Sequence, residues 1–208
     1  LWVELEMVNK DSELYRAHPD WILHTEGRHA SHGRKQYVLD FSRPEVVDYI
    51  HDSIYKVLST AKIDYIKWDM NRSITECGSA GWGPEHQGEI FHRYILGVYS
   101  LYERLTHEFP NILFESCASG GGRFDPGMFY SAPQCWTSDD SGGGERLRIQ
   151  YGTSYAYPVS FMGSHVSIAP NHQVFRETSL KLRGDVAYFG TFGYELDLGK
   201  LSPKELEE

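Results

Sequence analysis

The chain has 208 residues, 40% of them hydrophobic and 14% aromatic, enough for one sizeable core and too apolar for a disordered segment. A formal charge of −9 without any Lys/Arg run excludes the electrostatic footprint of a nucleic-acid or anionic-membrane binder, so the expected partner is neutral. Apolar runs such as 157 to 162 fall far short of the ~20 residues that span a bilayer, and the first residues lack the basic, apolar, small-residue order of a secretory signal. The cysteines Cys77, Cys117 and Cys135 are odd in number and lack a CxxC spacing. Free thiols and a cytoplasmic location are therefore expected.

In chain order, "LWVELEMVN" opens inside a β-prone apolar run, and the first strand is predicted over Trp2 to Leu5. "RPEVVDYIHDSIYKVLSTA" predicts a helix that starts at Pro44, with Val46, Val47, Ile50, Ile54, Val57 and Leu58 on one face. A strand follows over Ile63 to Trp68. The next helix lies in "FHRYILGVYSLYERLTHEF", with Tyr94, Ile95, Val98, Leu101, Tyr102 and Leu105 inward. Further strands are predicted over Ile112 to Glu115, Gln134 to Thr137, Val159 to Met162 and Val186 to Phe189, with helices at Glu145 to Tyr151 and 173 to 183. "LSPKELEE" reads as the opening of another helix, so both ends look cut and the chain reads as an excerpt. No linker or repeat divides it, which predicts one domain, or part of one, over 1–208.

Strand–helix alternation implies a parallel sheet, either doubly wound or a (β/α)₈ TIM barrel. A barrel collects its chemistry at the C-terminal ends of many strands, a doubly wound sheet at one switch point. Here Lys67, Asp69 and Asn71 follow one strand, Glu115, Ser116 and Cys117 the next, Ser138, Asp139 and Asp140 the next, and Ser164 and His165 another. The barrel is favoured, and it is partial, since about six strands are visible where closure needs eight.

Each candidate has a plainer reading. "GGGR" at 120–123 lacks the Lys-Ser/Thr of a phosphate loop and is better taken as a tight turn that lets backbone approach a ligand. The histidines form no HExxH and no zinc-like pairing with cysteine, so no metal is expected. No GxSxG elbow accompanies the serines. Asp69 alone could cap a helix or pair with Lys67 or Arg72, and the acids of "SDD" could be an N-cap pair. On strands that converge at one rim, however, two carboxylates are what acetal hydrolysis needs. One stays ionised to attack the anomeric carbon; the other stays protonated to release the leaving oxygen. Lys67, two residues from Asp69, shares its face of the strand and favours its ionised form. Trp136 and the many tyrosines suit a sugar, whose apolar faces stack on aromatic rings.

"YIKWDMNR" at 65–72, "ESCASGGGRFDPGM" at 115–128 and "CWTSDD" at 135–140 with "ERLRIQYGTSYAYP" at 145–158 resemble the glycoside hydrolase family 36 α-galactosidases, the bacterial melibiase and raffinose-cleaving type. "LWVELEMVNKDSELYRAHPDW" and "YVLDFSRPEVVDYI" match as well, so the resemblance covers nearly the whole chain. It implies a retaining exo-α-galactosidase without cofactor, acting on melibiose- or raffinose-type oligosaccharides, in a homo-oligomeric parent. It also implies that this chain carries about strands 3 to 8 of the barrel, with the family's flanking β-domains outside it. Position by position, Asp69 resembles the nucleophile and Asp139 the acid/base. Lys67 and Asn71 resemble residues that bind galactose hydroxyls, with Arg34 contributing from the loop after the third barrel strand. Cys117, Ser119 and Gly120 match the CxSGGGR turn, and Trp136 helps shape the pocket wall.

Two features depart from the family pattern. "SGGG" at 141–144 follows Asp140 where the family has a small polar residue and Asp-Ala, which predicts a looser loop behind Asp139. The Asp-Asp-Gly-Trp of the first barrel strand is absent. A transglycosylating enzyme of raffinose-synthase type would use the same carboxylates, and a non-catalytic sugar-binding module would need neither. Unpaired parallel edges predict that the excerpt alone is poorly soluble and inactive.

Overall fold

The computed structural model describes residues 1–207. They fall into two compact units, Leu1–Phe114 and Glu115–Glu208. Strands and helices alternate through both.

In the first unit, β1 (Trp2–Val3) is followed by β2 (Met7–Asn9), the short helix α1 (Glu13–Ala17) and β3 (Gln36–Val38). Next come α2 (Pro44–Thr60), β4 (Tyr65–Trp68) and α3 (Ile90–Glu108). β1 and β4 run parallel, with Trp2 opposite Lys67 and Val3 opposite Trp68. The backbone N–H of Asp69 continues the ladder to the Val3 carbonyl at 2.8 Å. β2 and β3 form an antiparallel pair that the sequence reading missed, because each is three residues long and separated by a long loop.

Both long helices form where the apolar period predicts. Val46, Val47, Ile50, Ile54 and Leu58 of α2 are buried, as are Tyr94, Val98, Leu101, Tyr102 and Leu105 of α3, whereas Val57 is exposed and Ile95 only half-buried. The seam also takes His51, whose Nε2 lies 2.7 Å from Oε2 of Glu108 and ties α2 to α3. From β4, Ile66 and Trp68 enter this core, and the Trp68 ring stacks on Tyr102 at 4.1 Å. Since strand side chains alternate, Tyr65 and Lys67 face the other way.

One glycine fixes how close α3 lies. A methyl group at Gly97 would land on the carbonyl oxygen of Phe41, a backbone atom with no room to retreat. Helix propensity favours alanine there by about 1 kcal/mol. Overpacking costs about 1–3 kcal/mol and more where backbone must move, so the clash wins. Gly97→Ala is expected to lower Tm by several degrees, read by calorimetry.

The second unit holds β5 (Leu113–Ser116), whose first two residues precede the division, then α4 (Pro126–Phe129), β6 (Gln134–Trp136) and α5 (Gly143–Ser154). β7 (Met162–Ser167), α6 (Leu180–Ala187), β8 (Thr191–Glu195) and α7 (Pro203–Glu207) complete it. β5, β6, β7 and β8 pair in that order, all parallel. The expectation of a parallel α/β chain holds, but two strands are misplaced. Val159–Phe161 is a 3₁₀ turn, and the strand begins only at Met162 and runs through Ser164 and His165, which are thus within it rather than beyond its end. Val186 to Phe189 is the end of α6 and its turn, with Val186 and Ala187 buried as a helical face; the strand is Thr191–Glu195. The helix predicted over 173–183 starts only at Leu180, where the Ser179 hydroxyl accepts from Leu182 N at 3.2 Å. Residues before it close a turn on the Asn171 side chain, which accepts from Gln173 N and Val174 N.

Candidate active site

The end of β4 sets the first cluster. Asp69 is only 6% exposed although it leaves an apolar strand. Its Oδ1 accepts from Met70 N at 2.8 Å; its Oδ2 accepts from Asn71 Nδ2 at 2.7 Å and from Trp2 Nε1 at 3.3 Å. Three N–H donors aim this carboxylate. Asn71 also donates through Nδ2 to Oε1 of Glu4 at 2.8 Å, so its amino group is shared between two carboxylates and its carbonyl oxygen is turned away from both. Glu4 gathers two more donors, Arg34 Nη1 at 3.1 Å and Gln36 Nε2 at 2.8 Å. Thus Arg34, Asn71 and Asp69 belong to one hydrogen-bonded chain through Glu4. Lys67 is half-buried one register step before Asp69.

Arg34 sits on the turn that leads into β3. Gly33 and Gln36 exchange both backbone hydrogen bonds, and Arg34 and Lys35 between them have φ of 54° and 63°. A two-residue turn with both centres left-handed is built for Asn-Gly, and non-glycine residues there are strained. The guanidinium is consequently held out from the turn, exposed, with Glu4 as its anchor.

The second cluster lies on the loops after β5 and β6. Ser119 and Gly120 have φ of 48° and 81°, and the turn closes through Ala118 N to Gly120 O at 3.0 Å and Gly122 N to Ala118 O at 3.2 Å. A Cβ on Gly120 would meet the backbone nitrogen of Asp139 at 2.5 Å and Cα of Ser138 at 2.8 Å. The glycine turn and the "SDD" loop are therefore in backbone contact, which the sequence reading did not anticipate. Gly120→Ala combines a positive-φ penalty of about 1–2 kcal/mol with displacement of Asp139. Wherever Asp139 takes part in chemistry, a shift of about 1 Å costs on the order of 10²-fold in rate, and that loss in kcat/KM is the expected outcome in the full-length protein.

The two acids of "SDD" differ. Asp139 is exposed, whereas Oδ1 of Asp140 accepts from Gly142 N at 3.3 Å and its own N–H donates to the Ser138 hydroxyl at 3.1 Å. Asp140 thus closes the turn into α5. The looser loop expected from "SGGG" is not found: Ser141, Gly142 and Gly143 are buried, and Asn171 Nδ2 donates to the Ser141 hydroxyl at 3.1 Å. Cys117 is buried and Ser119 exposed. Burial, with Glu115 nearby, pushes the neighbouring Cys135 thiol up to about 12, so it stays neutral. Trp136 is 2% exposed, which leaves little of its indole to a sugar; its ring takes the Arg146 guanidinium at 4.5 Å and stacks on His165 at 4.6 Å.

The sequence reading missed Trp2, Glu4 and Arg146. Glu4 was legible by the logic applied to Asp69, since an acid inside an apolar strand-like run asks for a purpose; Trp2 carried no such signal. Arg146 gave no signal, being one arginine in a polar helix. The described residues contain no cluster of three His, Cys, Asp or Glu that could hold a metal ion, and no helix among them is long and apolar enough to cross a membrane.

The family model described as melibiase matches residues 1–208. The chain belongs to the melibiase family. This melibiase chain is 60% identical over 205 residues to the α-galactosidase AgaA of Geobacillus stearothermophilus, covering 99% of itself and 28% of that protein. The crystal structure of the α-galactosidase from Lactobacillus brevis superimposes with a TM-score of 0.97 at 58% identity, over 100% of this chain and 28% of that one. A substituted AgaA of G. stearothermophilus in complex with raffinose gives 0.97 at 58% identity, over 100% and 29%. The chain thus spans little more than a quarter of the length of its relatives.

Proposed function

We propose that this chain is the catalytic part of a retaining α-galactosidase that releases terminal α-linked galactose from raffinose-type oligosaccharides, and that it supplies about strands 3 to 8 of a (β/α)₈ barrel. The observation that carries the reading is the Asp69 carboxylate, buried at a strand end and aimed by three N–H donors. A relative solved with raffinose supports the substrate class.

In this reading Asp69 attacks the anomeric carbon as the glycosidic C–O bond breaks, and Asp139 gives its proton to the departing oxygen. Water then attacks the galactosyl ester, Asp139 takes the water's proton, and Asp69 is released as carboxylate. Lys67, Asn71 and Arg34 bind sugar hydroxyls, and the glycine turn at 120–122 lets the ring approach the backbone. A transferase of raffinose-synthase type would share the first half and replace water with a sugar acceptor. The test is an assay of the full-length parent on raffinose and on p-nitrophenyl α-galactoside, with product configuration followed by NMR. Galactose released first as the α-anomer is expected. Release as the β-anomer rules out retention, and sucrose formation without free galactose favours transfer.

A further inference from the structure

Arg146 is a buried charge without a direct ion-pair partner, although the charges of Glu195 and Asp140 reach it from further off. It is 2% exposed, and among the described residues no carboxylate lies within ion-pair distance of its guanidinium. Burial lowers its pKa to about 10. Its donors go instead to neutral oxygens at three places. Nε donates to Gln150 Oε1 at 3.0 Å within α5, Nη1 to the Ser138 carbonyl at 3.2 Å, and Nη2 to the Gly163 carbonyl on β7 at 2.6 Å. The cation also lies over the Trp136 ring at 4.5 Å. Unpaired buried charge costs several kcal/mol per ion, so a fold that needed only a strand clamp would do better with a neutral amide or an apolar side chain.

What the fork holds is informative. The Ser138 carbonyl is part of the peptide that carries the nitrogen of Asp139, and that same nitrogen lies against Gly120 on its other flank. Oriented from both sides, this peptide sets the direction in which Cα of Asp139 presents its carboxyl group. The geometry points to Arg146 as the positioning residue of the acid/base: its guanidinium fixes the Ser138–Asp139 peptide and thereby the aim of the Asp139 carboxyl group at the leaving-group oxygen. Lysine does not replace it, because a single ammonium cannot serve three acceptors in a planar fork and sheds its proton more readily when buried. This inference rests on Asp139 being the acid/base.

The test uses leaving-group dependence in the full-length parent enzyme. A residue that aims the acid matters for raffinose, whose leaving sugar needs a proton, and little for p-nitrophenyl α-galactoside, whose leaving group does not. Arg146→Met is expected to lower kcat/KM on raffinose on the order of 10²-fold and kcat/KM on the aryl galactoside, which reports the first half-reaction alone, by less than about 3-fold. Arg146→Lys, which keeps most of the side chain's length but can reach only part of the three acceptors, is expected to show the same split to a smaller degree and covers the case in which the methionine variant does not fold. In a Asp139→Ala background either variant is expected to add nothing on raffinose. Equal losses in kcat/KM on both substrates, or losses that multiply with those of Asp139→Ala, would show a merely structural clamp and overturn the proposal while leaving Asp139 as the acid. If Asp139→Ala itself shows no leaving-group split, the reading of Asp139 falls and this proposal falls with it.

Discussion

Asp69→Ala in the full-length parent enzyme is expected to lower kcat on raffinose and on p-nitrophenyl α-galactoside alike, on the order of 10⁴-fold or more. The nucleophile is needed whatever the leaving group, so no choice of substrate relieves its loss. The structure also says which replacement is the sharper probe. Asp69 accepts three N–H donors, from Met70, Asn71 and Trp2. Asparagine keeps the volume but turns an NH₂ toward donors, leaving a buried mismatch on top of the lost nucleophile, so Asp69→Ala reads the chemistry more cleanly. Azide entering the space left by the carboxylate is expected to restore turnover with an aryl galactoside and to give the β-galactosyl azide. A variant that keeps even a tenth of the activity sinks the assignment, as does a mechanism-based galactosyl label found on another residue.

Asp139→Ala is expected to separate the substrates instead. General acid catalysis contributes about 10²–10⁴-fold, and that loss should fall on raffinose, while galactosylation by an aryl galactoside is nearly unchanged. Azide should then accelerate the second half-reaction and yield the α-galactosyl azide, the opposite anomer from the Asp69 case. Asp140→Ala should do neither. Its carboxylate is occupied with Gly142 N at the entry to α5, so its loss should cost stability of about 1 kcal/mol, as for other caps, and leave the substrate ratio intact. If the leaving-group split appears in Asp140→Ala and not in Asp139→Ala, the acid is one residue further on.

The parts of the fold legible in the sequence were those where one physical signal dominates. Helices α2 and α3 were visible because each carries a long stripe at helical period, and β4 because "YIKW" is short, largely apolar and followed at once by an acid, Asp69. β7 was illegible for a contrary reason. "MGSHVS" looks like a loop, since glycine and serine are poor strand formers, yet Met162, Gly163, Ser164, Val166 and Ser167 are buried, and a Cβ at Gly163 would come within 3.0 Å of the Trp136 ring. Tertiary contact selects the small residues that local propensity reads as a turn. Val186 to Phe189 misled in the opposite direction, because four apolar residues in a row look like a buried strand whether they end a helix or not. In the site, residues placed at strand ends by alternation could be listed from sequence, but what orients them could not. Glu4 and Arg146 act through contacts to residues 67 and 8 positions away, respectively Asn71 and the Ser138 carbonyl, and no periodicity encodes such pairings.

The turn at Arg34 and Lys35 bears on how such an enzyme can be improved. A protein engineer who ranks positions by backbone strain would choose it first, since glycine or asparagine at Lys35 relieves a left-handed φ. Yet the same stiffness gives Arg34 its fixed reach to Glu4, and the slack that a glycine introduces is inherited by every donor on that carboxylate. Thermostability gained at this corner is drawn from the rigidity of the side chains proposed to bind sugar, so selection for heat resistance and selection for turnover pull this one tetrapeptide in opposite directions.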